Sequence, residues 1–184
     1  MNHIKTDTMK TLRQILLLVL LYTTIFETHA RIKTDSSLVT ESVTVKGKIK
    51  QPMVLTVESL QKMKVVNGKG VNITCQSGEH KKTIKTFKAV LLRDILDSAS
   101  VIMDRKKDRG KFVIVVTASD NYKVVFSYNE IYFGAAGDNI YVAFEENGKP
   151  LVEEGKIIVF CSSDKVSGPR HVKWVKTIEI KEIE

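Results

Sequence analysis

The sequence has few of the residues that build multi-ligand metal centres or disulfide frameworks. Its 184 residues include two cysteines, Cys75 and Cys161, and four histidines, two of which fall within residues 1–30. Without a Cys-x-x-Cys pair or several imidazoles at ligand spacing, nothing predicts a thiol redox pair, a protein-only zinc site or a multi-histidine haem. One disulfide remains an alternative, but Cys161 follows an apolar run typical of a core strand while Cys75 approaches a loop. Free thiols are therefore favoured.

The chain also lacks an apolar run long enough to span a bilayer comfortably. Residues 15–26, ILLLVLLYTTIF, are roughly a dozen where about twenty are needed. Three basic residues precede this run and Thr28-His29-Ala30 follows it, a pattern that predicts a signal peptide over residues 1–30, cleaved after Ala30. We expect an exported protein, periplasmic or secreted, whose mature chain does not span the membrane. A retained N-terminal anchor is the alternative.

Aromatic residues are sparse although the chain is basic. Aromatic residues make up 7% of the sequence. The formal net charge of the chain is +8. The lysines are scattered and not interleaved with aromatics, which argues against a nucleic-acid partner, and export argues against it further. Small anions, or a solvated surface facing an anionic envelope, fit this charge better.

Periodicity predicts a single mixed α+β domain after the signal. Residues 31–41 are polar and aperiodic, and we expect a flexible lead-in there, followed by one domain over residues 42–184. The remaining chain alternates between strands and two or three short helices, without an internal repeat. Predicted strands are residues 42–49, 71–75, 83–87, 112–117, 122–126, 140–144, 157–161 and 172–180, and predicted helices are residues 57–63, 89–99 and 127–132.

Two local predictions are specific enough to be tested. Asn67-Gly68 has the composition of a tight hairpin turn leading into the strand that ends at Cys75. The continuous β-branched run Phe112–Thr117 predicts a central strand buried on both faces.

Cys75 is the candidate functional residue of the chain. Val71 and Ile73 alternate with polar neighbours up to Cys75, and Ser77-Gly78 ends the strand, so the thiol is expected at a strand end facing a loop. A thiolate there can bind a soft metal such as molybdenum, copper, zinc or iron. The alternative is a half-buried structural thiol, since free cysteine packs as a small hydrophobe.

Several stretches, in matching order and intervals, resemble the molybdopterin-binding domain of the sulfite oxidase family. The resemblance covers residues 43–180 and implies that family's fold, with mixed, mostly antiparallel sheets and two or three short helices. The segments that carry it are the helix-like AVLLRDIL of residues 89–96, the turn TASDNY of residues 117–122, the run VAFEENGKPL of residues 142–151 and the run GPRHVKW of residues 168–174.

The resemblance implies a site for a molybdenum–molybdopterin cofactor. Cys75 matches the cysteine that ligates molybdenum in the family. The family's cofactor contacts match five further positions, Asp120, Arg170, His171, Val172 and Lys173. For Lys173 the alternative is a solvated lysine on a strand. Trp174 is expected to be a core aromatic.

The chain departs from the family pattern where an anionic cofactor would be held. Glu154 stands where a histidine precedes a glycine, and a carboxylate would repel a phosphate. Ile158 stands where the family has an arginine, and Gln76–Glu79 replaces its alanine-glycine-asparagine-arginine pattern. His80, Lys81 or Lys82 could substitute for the missing arginine.

Two functions therefore remain open. The first is an exported molybdopterin-dependent oxidoreductase of the sulfite oxidase type, acting on a small oxyanion or oxide together with a redox partner subunit. The second is a cofactor-free domain of the same fold, acting as a binding or interaction module of the cell envelope. The altered positions Glu154 and Ile158 favour the second function.

Overall fold

The computed structural model describes residues 36–184, which fall within one compact unit. The predicted signal peptide and residues 31–35 lie outside the described residues. Within residues 36–184 the regular structure comprises ten strands, three short α-helices and four short 3-10 helices, in agreement with the predicted α+β class. The strands are β1 (Val43–Gly47), β2 (Met53–Leu55), β3 (Val66–Thr74), β4 (His80–Leu91), β5 (Phe112–Ala118), β6 (Lys123–Ser127), β7 (Ile140–Glu146), β8 (Lys149–Pro150), β9 (Ile158–Cys161) and β10 (Val175–Glu182), and the helices are α1 (Val57–Gln61), α2 (Leu92–Ala99) and α3 (Tyr128–Phe133).

The strands form two five-stranded sheets that are almost entirely antiparallel. The first sheet has the order β2-β1-β10-β5-β6, and only β1 and β10 run parallel. In the second sheet β3, β4 and β7 are neighbours in that order, and the free edge of β7 pairs with both β8 and β9. The predicted sheet type is confirmed.

Alternation along the strands divides the apolar side chains between two clusters. The main core combines residues of both sheets with the buried face of α2, and β7 contributes Val142 to it. The next residue, Ala143, belongs to a smaller cluster on the opposite face of the second sheet, together with Ile73, Phe87 and Phe160. Because strand side chains alternate between faces, the second sheet is apolar on both sides.

Side-chain caps begin two of the helices. Thr56 and Ser127 each accept a hydrogen bond from the backbone N–H three residues on, and the side chains of Ser59 and Glu130 accept in return from the cap N–H groups. Such reciprocal caps satisfy N–H groups that a helix start leaves unpaired. The cap predicted at each of these positions is confirmed.

The predicted turn at Asn67-Gly68 is wrong, because both residues lie inside β3. Gly68 pairs directly with Phe87 of β4, and a Cβ on Gly68 would come within 2.0 Å of the Phe87 ring. The glycine therefore makes room for an aromatic ring that covers the strand. The actual β3–β4 connection is the loop of residues 75–79.

Two other elements differ from the prediction. Ala89, Val90 and Leu91 were expected in a helix but pair with β7, and the helix begins at Leu92. A short apolar run fits a buried strand as well as a helix. β5 is buried on one face and half-buried on the other, because its sheet has an open outer side on which Val125 is 53% exposed.

The end of the predicted lead-in is held against the domain. The Ser119 hydroxyl donates to the carbonyl of Leu38 at 2.6 Å, and the Lys156 N–H donates to the carbonyl of Thr40 at 3.0 Å. Residues 38–40 are therefore part of the fold, in place of the flexible segment expected there. Among residues 36–184, no helix has the length and apolarity needed to cross a membrane.

The Gly68–Phe87 contact can be tested by substitution. Gly68→Ala should lower the free energy of unfolding by about 1–3 kcal/mol, the usual cost of overpacking, since Phe87 is itself confined among aromatic rings. Urea unfolding measures this loss. In a Phe87→Leu background the same substitution should cost clearly less; an equal cost in both backgrounds would refute the steric explanation.

Candidate functional site

Cys75 lies in the tight loop between β3 and β4, as its sequence context predicts. Its N–H donates to the carbonyl of Glu79 at 2.9 Å, and its carbonyl accepts from the N–H of Gly78 at 2.8 Å. Gly78 has a φ of +84°, a left-handed conformation that favours glycine. This closed loop fixes the thiol at the end of β3, half-buried and within 2.9 Å of the Ser77 hydroxyl.

The two cysteines differ in acidity. The hydrogen bond with the Ser77 side chain lowers the pKa of Cys75, and this effect, with backbone N–H groups and Lys81, outweighs the opposing effect of desolvation. Burial raises the pKa of Cys161, whose side chain lies in the main core. Both thiols are free. Only Cys75 thus combines access to solvent with a stabilised thiolate, the form that binds metals.

The segment of residues 167–173 packs directly against the Cys75 loop. The buried Ser167 hydroxyl donates to the carbonyl of Asn72 at 2.7 Å and accepts from the N–H of Thr74 at 3.2 Å. Gly168 follows, where a Cβ would lie 2.7 Å from the carbonyl oxygen of Thr74. This close approach brings the basic C-terminal segment beside the thiol.

A cleft of about 530 Å³ opens between these two segments. Three of the predicted site residues, Cys75, His171 and Lys173, line it. Lys81 and Lys82, considered as substitutes for a missing arginine, line it as well. The remaining lining residues are Ile73, Gln76, Glu154, Gly168 and Pro169.

Glu154 is the centre of the charges in this cleft. One carboxylate oxygen accepts from Lys173 Nζ at 2.7 Å, and the other accepts from Lys82 Nζ at 2.7 Å. Lys82 Nζ also donates to Glu146 at 2.8 Å. Burial raises the pKa of Glu154, but the hydrogen bonds from Lys173 and Lys82 outweigh it and hold that pKa below its usual value. The lysines expected to attract an anion therefore already have carboxylate partners.

His171 lies beneath this charge cluster. Its side chain is 4% exposed, and Nε2 is 3.8 Å from Glu154. Within residues 36–184, this buried nitrogen has no hydrogen-bond partner. Burial, together with the nearby positive charges of Lys82 and Lys173, lowers the pKa of His171 to about 4 against the opposing effect of Glu154. The imidazole is consequently neutral at neutral pH.

Arg170, predicted to contact the cofactor, does not line the cleft. Its guanidinium forms a bidentate ion pair with Asp164, a further one with Glu130, and stacks over the Phe126 ring at 4.9 Å. These carboxylates raise the pKa of Arg170. The side chain joins the 167–173 segment to the cap of α3.

The predicted contacts Asp120 and Val172 also lie outside the cleft lining. Asp120 accepts from the N–H of Tyr122 at 2.9 Å within its own turn, and the Tyr122 hydroxyl donates to the carbonyl of Pro169 at 2.6 Å. Val172 is fully buried and bridges to Val159 of β9. Asp120 therefore supports the cleft through Tyr122, and Val172 anchors it to the second sheet.

Trp174 is half-buried, so the prediction of a core aromatic is wrong. Its φ is +49°, its N–H donates to the carbonyl of Glu154 at 2.7 Å, and its indole N–H donates to that of Glu153 at 2.7 Å. Gly155, in the same turn, has a φ of +85°. Trp174 thus holds the 153–155 turn so that Glu154 reaches the cleft.

Sequence reasoning missed the Lys82–Glu154 pair because these residues are distant in the chain.

The acidity difference between the thiols predicts selective labelling. In the folded protein, iodoacetamide should modify Cys75 at neutral pH and leave Cys161 unmodified, whereas both should react in denaturant. Mass spectrometry of digested protein counts the labels, with Cys75→Ser and Cys161→Ser as matched controls. Labelling of Cys161 at a rate like that of Cys75 in native protein would contradict the assigned burial.

Burial of His171 predicts a loss of stability on acidification. Its pKa is about 4 in the folded protein and near 6.5 when unfolded, so in that window only the unfolded chain takes up the proton. The contribution is complete above pH 6.5 and is lost as pH falls towards 4. Urea unfolding across this window should show a smaller pH slope in His171→Gln; an unchanged slope would contradict the assignment.

Comparisons with known proteins agree with this architecture. In the solved structure titled as the sulfane dehydrogenase SoxCD from Paracoccus pantotrophus, a chain aligns with 78% of this chain at a TM-score of 0.55 and 19% sequence identity. The match covers 39% of that longer chain. No curated protein sequence matches this chain.

The family assignment comes from the sequence itself. The sequence model described as "Oxidoreductase molybdopterin binding domain" matches residues 29–184, which is most of the chain and includes both walls of the cleft. This agrees with the resemblance to the sulfite oxidase family and with the shared fold. The chain therefore belongs to the oxidoreductase molybdopterin-binding domain family.

Proposed function

We propose that this domain is a molybdopterin-dependent oxidoreductase in which the Cys75 thiolate ligates molybdenum. The observation that carries the proposal is the Cys75 thiol itself, with its lowered pKa, at the wall of a cleft of about 530 Å³ beside a basic segment. A soft, deprotonated sulfur is the kind of donor that molybdenum takes. The thiol end of the cleft therefore fits the cofactor.

The basic residues of the cleft would hold the anionic part of the cofactor. Lys82 and Lys173 converge on one carboxylate, Glu154, at 2.7 Å each, which is the arrangement that also suits a phosphate oxygen. Binding a phosphate there requires Glu154 to turn away or take up a proton. His171 would offer a neutral imidazole as a hydrogen-bonding group at the buried side of the cleft.

When bound, the molybdenum centre would supply two-electron oxygen-atom transfer on a small oxyanion or oxide. Oxidation of the substrate needs an electron acceptor and reduction of an oxide needs an electron donor, so we include a redox partner subunit in the proposal. Lys81 at the cleft wall is 52% exposed and pairs with Glu79 at 2.8 Å, so it would exchange this carboxylate for an anionic substrate at the mouth. The predicted signal peptide extends the proposal to an exported, periplasmic or secreted enzyme.

Metal analysis of the purified protein tests this function. Protein expressed with its predicted signal in a molybdenum-replete host should contain near-stoichiometric molybdenum. Cys75→Ser should lose it because the thiolate donor is removed, while Cys161→Ser should retain it because that sulfur lies in the core. A well-folded wild-type protein without molybdenum, under conditions in which a known molybdoenzyme is loaded, would overturn the proposal.

The second candidate is a cofactor-free binding module of the same fold in the cell envelope. The observation in its favour is the internal pairing of Lys82 and Lys173 with Glu154, which leaves the cleft with little free positive charge. The metal analysis separates the two functions. Substitution Glu154→Gln adds a second test. If the negative charge of Glu154 weakens cofactor binding, the protein should retain more cofactor when that charge is removed.

A further inference from the structure

A second group of metal-ligating side chains, without Cys75, joins two residues of the cleft lining, Glu154 and His171, to Glu146 outside that lining. Ligand atoms of Glu146, Glu154 and His171 all lie within 4.8 Å of one another. The side chains of Glu146 and Glu154 are 11% and 21% exposed, and that of His171 is 4% exposed. Two carboxylates and one imidazole are a donor set that first-row divalent ions accept.

A cation already lies among these carboxylates. Lys82 Nζ is 2.8 Å from Glu146 and 2.7 Å from Glu154, so its ammonium neutralises the pair. The imidazole of His171 gains nothing from this arrangement. The ammonium could donate to a lone pair on Nε2, but Nε2 has no hydrogen-bond partner among the described residues.

We propose that Glu146, Glu154 and His171 bind a divalent transition-metal ion of the zinc class, which displaces the Lys82 ammonium. Metal binding would give Nε2 of His171 the partner it lacks. It would thereby remove the energetic cost of a buried polar atom without a hydrogen bond. Because burial keeps the imidazole neutral, no proton competes with the metal for His171 at neutral pH.

The geometry requires only small movements. Three atoms no more than 4.8 Å apart can all lie within about 2.8 Å of one point, and side-chain shifts of roughly 0.7 Å reach zinc bond lengths of about 2.1 Å. Lys82 is 29% exposed and can turn to solvent. Glu154 can keep its ion pair with Lys173 through its other oxygen, which is 2.7 Å from Lys173 Nζ.

Zinc titration of the full protein in a Cys75→Ser background tests the site. That background removes the thiol, so the result does not depend on the proposed molybdenum function. Isothermal titration calorimetry should show one zinc site, and Mg²⁺ should bind far more weakly because it disfavours imidazole. Lys82→Met should tighten zinc binding by roughly tenfold, since the competing ammonium is gone.

Matched variants separate ligation from general attraction of cations. Lys81→Met removes a neighbouring lysine that pairs with Glu79, and should leave zinc affinity within about twofold of the background. His171→Gln and Glu146→Gln should each weaken zinc binding by at least roughly tenfold, and Glu146→Gln serves if the His171 variant fails to fold.

Two results would overturn the proposal. One is the absence of zinc binding at millimolar concentration in both the Cys75→Ser protein and its Lys82→Met derivative. The other is unchanged affinity in a folded His171→Gln variant, which would assign the zinc to carboxylates alone. Failure of the molybdenum experiment would not affect either outcome, because that experiment depends on Cys75.

Discussion

The site depends on the hydrogen bonds of Ser167. This buried hydroxyl donates to Asn72 and accepts from Thr74, joining the end of β3 to a segment more than ninety residues later in the chain. The tight approach of Gly168 to Thr74 continues the contact. These contacts place the Cys75 loop and the His171–Lys173 segment side by side. A buried polar group that satisfies two backbone partners is costly to lose, so the cleft and the local fold are stabilised together.

The charged residues of the cleft show how this chain differs from the residue pattern of its family. Where a histidine is expected, Glu154 pairs with Lys82 and Lys173, and the turn that carries it is fixed by two hydrogen bonds from Trp174. The Glu154 carboxylate is therefore held in place by the surrounding residues of the cleft. It limits the free positive charge available to an anionic cofactor, and with Glu146 and His171 it creates a position that a divalent ion could occupy.

Sequence reasoning predicted the fold class, the sheet type and the strand-end position of Cys75, because hydrophobic alternation and turn residues act locally. It failed at Asn67-Gly68, where a glycine serves a cross-strand aromatic contact, and at residues 89–91, where an apolar run fits helix and strand equally. It predicted a cofactor contact at Arg170 but not that Asp164 and Glu130 engage the guanidinium outside the cleft lining. Ion pairing of this kind depends on which residues meet in space, and spacing along the chain does not reveal it.

Folding brings the Cys75 thiol and the segment of residues 167–173 onto one cleft. A short amine-to-thiol crosslinker tests this directly, with peptide mapping by mass spectrometry. The structure predicts a crosslink between Cys75 and Lys173, which is 41% exposed and lines the same cleft, and this crosslink should disappear in denaturant. Crosslinks from Cys75 only to the adjacent Lys81 and Lys82, with none to Lys173 in the folded protein, would contradict the account.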